Sequence, residues 1–245
     1  VSIRDSFYKQ YSNSTIQWLS PDSEDNWIKN NDDPLKRKIL QNLNWTDNSI
    51  QYHFNSHGFR SHDFDGNGAM FLGCSFTFGV GMDWERTWAY KVAEELGLRC
   101  WNLGIGGGSN DTAFRLAWSW IPVLKPSYVF YLRTHHARFE LLTDDGQLQF
   151  VPHNISKKSG DRDHHAAFAE TWMTCPYNTE VNEQKNLLAI QQICSNHNIP
   201  LYTASIMDRY WPIYEADVAR DMVHLGPNWN DITAKHFLRM VKNDR

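Results

Sequence analysis

From Ala69 onward, short apolar runs alternate with stretches of helical spacing, and that alternation leaves few folds open to the chain. Ala69 to Gly73 is an apolar run behind the Gly66-Asn-Gly68 turn, which predicts a buried parallel strand. Apolar residues at Trp84, Trp88, Val92, Ala93 and Leu96 predict a helix that Gly97 ends. The unit repeats with a strand over Leu98 to Leu103, a cap at Ser109 to Asp111, and a helix toward Ile121 before Pro122. Tyr128 to Leu132 and Ile199 to Ser205 read as further strands, Val181 to His197 and Trp229 to Val241 as further helices. The expected architecture is α/β: a three-layer α/β/α sandwich around a central parallel sheet, with ligands held beyond the carboxyl ends of its strands.

With 245 residues the chain suits one domain. Residues 1–65 are rich in Asn, Asp and Ser and lack sustained periodicity until Ser49 to Phe54, which alternates as a strand does. They are read as an N-terminal extension packed on a domain over 66–245. The long stretch 133–177 is irregular and is read as an insertion that covers or lines the site.

A net charge of -4 argues against broad contact with nucleic acid, despite the local basic stretch at Lys157, Lys158 and Arg162. No apolar run approaches the roughly 20 residues of a membrane-spanning helix. No charged-then-apolar leader opens the chain at Val1, so cytoplasmic is the default expectation. The four cysteines are scattered without zinc or redox spacing. Adjacent histidines at His135-His136 and His164-His165 are expected to point apart, so neither a metal nor a cofactor is expected. The glycines at 106–108 lack the lysine and serine that end a phosphate-binding loop. Eleven tryptophans suit an aromatic core more readily than a sugar platform.

Ser75 follows the first core strand in GCSFTFG, where a parallel sheet presents reactive groups, and it is expected to be exposed there. A serine hydroxyl is a weak nucleophile that needs a base, and the base needs an orienting group. Asp221 and His224, in DMVH before the last helix, are spaced to supply both from one loop.

These blocks resemble those of the SGNH/GDSL hydrolases over roughly Asn55 to Met240. GCSFTFG resembles the nucleophile block and DMVH the terminal block. NLGIGGGSN, from Asn102 to Asn110, looks like the second block, with Gly107 at the place of its oxyanion donor. NSHGFR, from Asn55 to Arg60, is similar to a segment that often precedes the nucleophile strand. The resemblance implies a flavodoxin-like sandwich and a serine esterase that forms an acyl-enzyme intermediate. It suggests a small-molecule or carbohydrate ester as substrate, acetyl esters included. Two positions depart from the pattern. Cys74 replaces an aspartate, and RTHHAR at Arg133 to Arg138 lacks the asparagine of the third block. Asn110, Arg133, Thr134 and His135 are the candidates to replace that oxyanion donor. An acyltransferase with the same triad, or a binding module that keeps the scaffold without catalysis, remains an alternative. Nothing in the sequence sets the oligomeric state.

Overall fold

The computed structural model describes residues 2–46, 49–143, 146–151, 167, 170–172, 174–208 and 217–244. In the N-terminal segment β1 (Thr15–Ile16) pairs antiparallel with β2 (Tyr52–His53), and α1 (Glu24–Asp32) and α2 (Pro34–Asn42) lie between them. The two helices differ from the sequence expectation of an aperiodic extension. Each is nine residues long and buries one residue, Asn30 in α1 and Leu40 in α2, too little for a sustained period. Their signal lies in the caps. The Ser23 hydroxyl accepts from Asn26 N–H, and the Asp33 carboxylate accepts from Leu35 and Lys36 ahead of Pro34 at the first helical turn.

The central sheet contains β3 (Gly68–Leu72), followed by α3 (Ser75–Phe78) and α4 (Trp88–Glu95), and β4 (Arg99–Asn102), followed by α5 (Asn110–Leu124). It continues with β5 (Tyr128–Arg133). The antiparallel hairpin of β6 (Phe139–Thr143) and β7 (Gly146–Phe150) comes next, then α6 (Pro176–Asn196), the sheet strand β8 (Leu201–Ser205) and α7 (Pro227–Asn243). Its strand order is β4-β3-β5-β8, and every pair is parallel.

Side chains alternate across the sheet as the pleat requires. Ala69, Phe71, Phe130 and Leu132 face α4 and α7, where Phe71 stacks on Phe130 at 5.1 Å and Trp88 on Phe237 at 4.8 Å. Met70, Leu72, Val129 and Tyr131 face α5 and α6, whose Leu116, Ile121, Ile190 and Cys194 close that layer. Both faces are covered, which makes the two inner strands, β3 and most of β5, continuously apolar and readable as such. The result is a three-layer α/β/α sandwich.

Three further local readings need correction. Helix α5 runs through Pro122 to Leu124, and Pro122 sits on the exposed face beside the 53 % exposed Trp118, where the missing backbone bond lies on the solvent side. The helix expected from Trp84 is split: Trp84–Arg86 is a separate 3-10 turn, and Thr87 caps α4 with its hydroxyl. The stretch expected to be irregular holds the β6–β7 hairpin, whose burial does not alternate by face, so it shows no period of two.

The N-terminal segment shares the main core. Tyr8, Leu40, Trp45, Tyr52, Phe54 and Phe59 belong to the same apolar cluster as Met70 and Tyr131. Its polar junction is fully buried. Asp22 Oδ1 accepts from Arg220 Nε at 3.0 Å, and Oδ2 accepts from Arg220 Nη2 at 2.6 Å and from Tyr52 Oη–H at 2.5 Å. Burial, reinforced by the Asp22 charge, pushes the Tyr52 phenol well above its ordinary value, so it stays a donor. Tyr52 Oη in turn accepts from Gly81 N–H at 2.8 Å, and Gly81 O accepts from Arg220 N–H at 2.9 Å.

Removing one partner of a desolvated pair leaves the other charge stranded. Asp22→Ala is therefore expected to lower stability by about 3–5 kcal/mol in urea unfolding, while the apolar double variant Asp22→Leu/Arg220→Met recovers a large part of that loss. A loss below about 1 kcal/mol for Asp22→Ala would show that the pair is solvated.

Candidate active site

The backbone reverses sharply after β3. Gly73 has φ +155°, where a Cβ would lie 2.2 Å from Thr77 Oγ1 and 2.9 Å from Leu132 O, so only glycine fits between the turn and β5. Cys74 caps α3 in extended conformation, Ser75 is its first residue, and Gly79 closes the single turn at φ +81°. Ser75 thus stands at the carboxyl end of β3, beside the point where the strand order reverses between β3 and β5. Contrary to the expectation of an exposed serine, it is only 6 % exposed. The neighbouring segments close over α3: Gly104 packs so tightly that a Cβ there would meet Phe78 N at 2.6 Å, and Phe76 is covered by His224.

The second block continues the sheet edge. Leu103 N–H donates to Phe71 O at 2.9 Å and Ile105 N–H to Gly73 O at 3.1 Å, while Asn102 Nδ2 donates to Thr77 O at 2.8 Å. Gly107, at φ +73°, is half-buried, and a Cβ there would meet nothing closer than Gln149 Cβ at 3.9 Å. Among the described residues neither the Ser75 N–H nor the Gly107 N–H has a hydrogen-bond acceptor. For Ser75 this is the ordinary fate of a first-turn amide.

Asp221 and His224 occupy the loop before α7. Asp221 Oδ1 accepts the backbone N–H of Val223 at 3.1 Å and of His224 at 3.0 Å, which leaves Oδ2 to the His224 ring, 2.5 Å from Nδ1. The carboxylate is buried and the imidazole nearly so. With Nδ1 held by the carboxylate, a neutral ring has Nε2 free to accept. The His224 ring meets Phe76, the residue after Ser75, edge to face at 5.3 Å, and Phe76 also packs on Trp229 at the start of α7. On the other side of α3, Gly81 is wedged against the loop, where a Cβ would meet Asp221 N at 3.1 Å. The structure therefore brings the terminal block to the helix that Ser75 begins.

The four candidate donors of the third block separate by environment. Asn110 is 1 % exposed; its Oδ1 accepts from Tyr131 Oη–H at 2.7 Å and from Thr134 N–H at 3.0 Å, and its Nδ2 donates to Thr134 O at 3.2 Å. Arg133 is paired with Glu183 on α6 at 3.0 Å. Thr134 is buried, and its Oγ1 has no partner among the described residues. His135 Nδ1 accepts from Ala137 N–H at 3.1 Å, and its ring stacks on His136 at 4.6 Å, so these neighbouring rings do not point apart as expected. Burial first, then the neighbouring His136 and Arg138, lowers the pKa of His135. His164 and His165 lie outside the described residues. Among the described residues no three His, Cys, Asp or Glu side chains are grouped to hold a metal.

The sequence motif around Asn55 gave no role to Arg60, and the structure supplies one. Its guanidinium is buried, donates to the carbonyls of Gly79, Met82 and Gln51, and lies 4.5 Å over the Tyr52 ring, thereby fixing the loop that follows α3. Asn55 prepares the turn, its Oδ1 accepting from His57 and Phe59 N–H. Only the spacing of the motif hinted at this.

Asn110→Leu leaves a buried amide and a buried phenol without their acceptor. It is expected to lower stability by about 2–4 kcal/mol, read as a shifted urea midpoint at unchanged slope.

No family model matches the sequence, and no curated protein matches it. Among solved structures the chain is similar to a psychrotrophic esterase from Pseudoalteromonas sp., with 12 % identity over 73 % of this chain and 98 % of that one, at a TM-score of 0.41. It is similar to an acetylxylan esterase from Geobacillus stearothermophilus, with 15 % identity over 71 % and 94 %, at a TM-score of 0.38. A third is a member of the lipolytic protein G-D-S-L family from Veillonella parvula, with 14 % identity over 71 % and 97 %, at a TM-score of 0.35. In the order of its sequence blocks the chain resembles the SGNH/GDSL hydrolases.

Proposed function

We propose that the chain is a serine hydrolase of carboxylic esters, with Ser75 as nucleophile, His224 as general base and acid, and Asp221 as its orienting carboxylate. The observation that carries this reading is the buried Asp221–His224 pair at 2.5 Å, set against the residue that follows Ser75. In the reaction Ser75 Oγ attacks the ester carbonyl while its proton passes to His224 Nε2. The tetrahedral intermediate then collapses, the imidazolium returns the proton to the departing alcohol, and an acyl-Ser75 remains. Water attacks the acyl group by the same proton route and releases the acid. The chemistry draws only on the chain's own groups and water.

Charge on the tetrahedral oxygen is received by the N–H groups of Ser75 and Gly107, which have no acceptor among the described residues. Of the four candidates, Asn110 is the one we take as third donor. Two donors on its Oδ1 fix the amide orientation, and only one of its two Nδ2 hydrogens is used, toward Thr134 O. An acetyl ester of a carbohydrate is the substrate that the resemblance suggests. Transfer to another hydroxyl would differ only in the acceptor that resolves the acyl enzyme.

A fluorophosphonate probe is expected to label Ser75 of the folded chain, and Ser75→Ala to abolish hydrolysis of a short aryl ester. His224→Ala is expected to lose nearly as much, and Asp221→Asn somewhat less. Folded protein that neither reacts with the probe nor turns over esters would favour a binding module on this scaffold. For the third donor, single replacements by alanine at Asn110, Arg133, Thr134 and His135 should find one that lowers kcat about a hundredfold or more, far beyond any change in KM. If all four stay within about threefold, no side chain compensates for the missing asparagine.

A further inference from the structure

Three arginines cluster around the end of β5 and the hairpin beyond it, and two have carboxylate partners. Arg115 holds Glu140 at 2.8 Å with both side chains buried, and Arg133 holds Glu183 at 3.0 Å. Arg138 differs. Its Nε and Nη1 are shut off from water and have no hydrogen-bond acceptor, and no carboxylate is paired with it among the described residues. Buried guanidinium hydrogens without an acceptor are costly, and the neighbouring glutamates are already engaged.

Arg138 stands at a defined place in the hairpin. Arg138 precedes Phe139 and Val151 follows Phe150, and Phe139 and Phe150 are cross-strand partners, so Arg138 and Val151 share the open end of the hairpin. That end lies over the second block, where a Cβ on Gly107 would meet Val151 Cγ1 at 4.0 Å. Arg138 N–H donates to His135 O at 3.1 Å, which holds the arginine in one turn with the stacked His135 and His136 rings. His135 Nδ1 is an acceptor, so the neutral ring carries its hydrogen on Nε2.

We propose that Arg138, with His135 and His136, forms a binding subsite beside Gly107 for a carboxylate carried by the ester substrate. The proposal rests on the hydrolase reading for its substrate and on the hairpin geometry for the site itself. Desolvation of His135 beside two basic neighbours keeps that imidazole neutral, so Arg138 supplies one full positive charge and the ring adds a donor. One charge with the His135 donor beside it suits a monoanionic carboxylate better than a doubly charged phosphate. A carboxylate on the alcohol portion and one on the acyl portion present the same chemistry to Arg138, and paired substrates separate them.

The first measurement is independent of turnover. Calorimetry with benzoate on Ser75→Ala protein should show binding that weakens at least about tenfold when Arg138→Gln is added, less with Arg138→Lys, and exceeds binding of inorganic phosphate. The second compares meta-acetoxybenzoate with its methyl ester, and mono-para-nitrophenyl succinate with para-nitrophenyl butyrate. One pair should favour the charged ester in kcat/KM, and that preference should fall about tenfold in Arg138→Gln and partly return in Arg138→Lys. The responding pair identifies the portion that bears the carboxylate. Benzoate affinity indifferent to both Arg138 substitutions, tighter binding of phosphate, or active enzyme with no charge preference in either pair would overturn the subsite. Benzoate bound through Arg138 in a chain that cleaves no ester would keep the anion site and overturn the hydrolase reading instead.

Discussion

The buried contact between Asp22 and Arg220 is the constraint on which the arrangement of the site depends. It is a charged pair shut away from water, so its geometry is enforced by the penalty for any departure from it. Through Tyr52 and Gly81 the same cluster grips the loop after α3, and Arg220 is the covalent neighbour of Asp221. A single polar junction thereby fixes the two loops that carry the serine's surroundings and the carboxylate. Arg60 acts on the same loop from its other side, capping carbonyls that α3 is too short to satisfy.

Around this junction the site is shaped by close backbone approach. Gly73 admits Thr77 and β5, Gly104 admits α3, and neither place has room for a methyl group. The glycines let the first and second blocks touch where the sheet's order reverses, the region in which an open parallel sheet has space for a ligand. The Asn110 network then ties the start of α5 to the end of β5, so that three strand ends converge on one rigid rim.

Much of this was legible in the sequence, for identifiable reasons. Strands covered on both faces become apolar, so β3 and most of β5 are plain in the sequence, and a local Asp–His pair needs no distant partner to be noticed. The helices α1 and α2 were illegible because nine residues with one buried side chain give no sustained period, and Ser23, Asp33 and Pro34 mark them instead. The continuation of α5 past Pro122 depends on which face of the helix meets solvent, a property of packing rather than of the residue. The burial of Ser75 and the stacking of His135 on His136 likewise come from neighbours remote in sequence or from one tight turn, and neither leaves a local signature.

The distance in sequence between Asp22 and Arg220, 198 residues, also has a consequence for how the molecule comes into being. Synthesis is vectorial, and the N-terminal segment leaves the ribosome long before any strand of the sheet exists to receive its aromatic residues. Its aspartate acquires its partner only after all four strands of the sheet have been made. The segment must therefore wait in a solvated state, which its richness in Asn, Asp and Ser permits. Assembly of the junction beside the reactive centre accordingly follows the sheet, completed when two segments 198 residues apart meet.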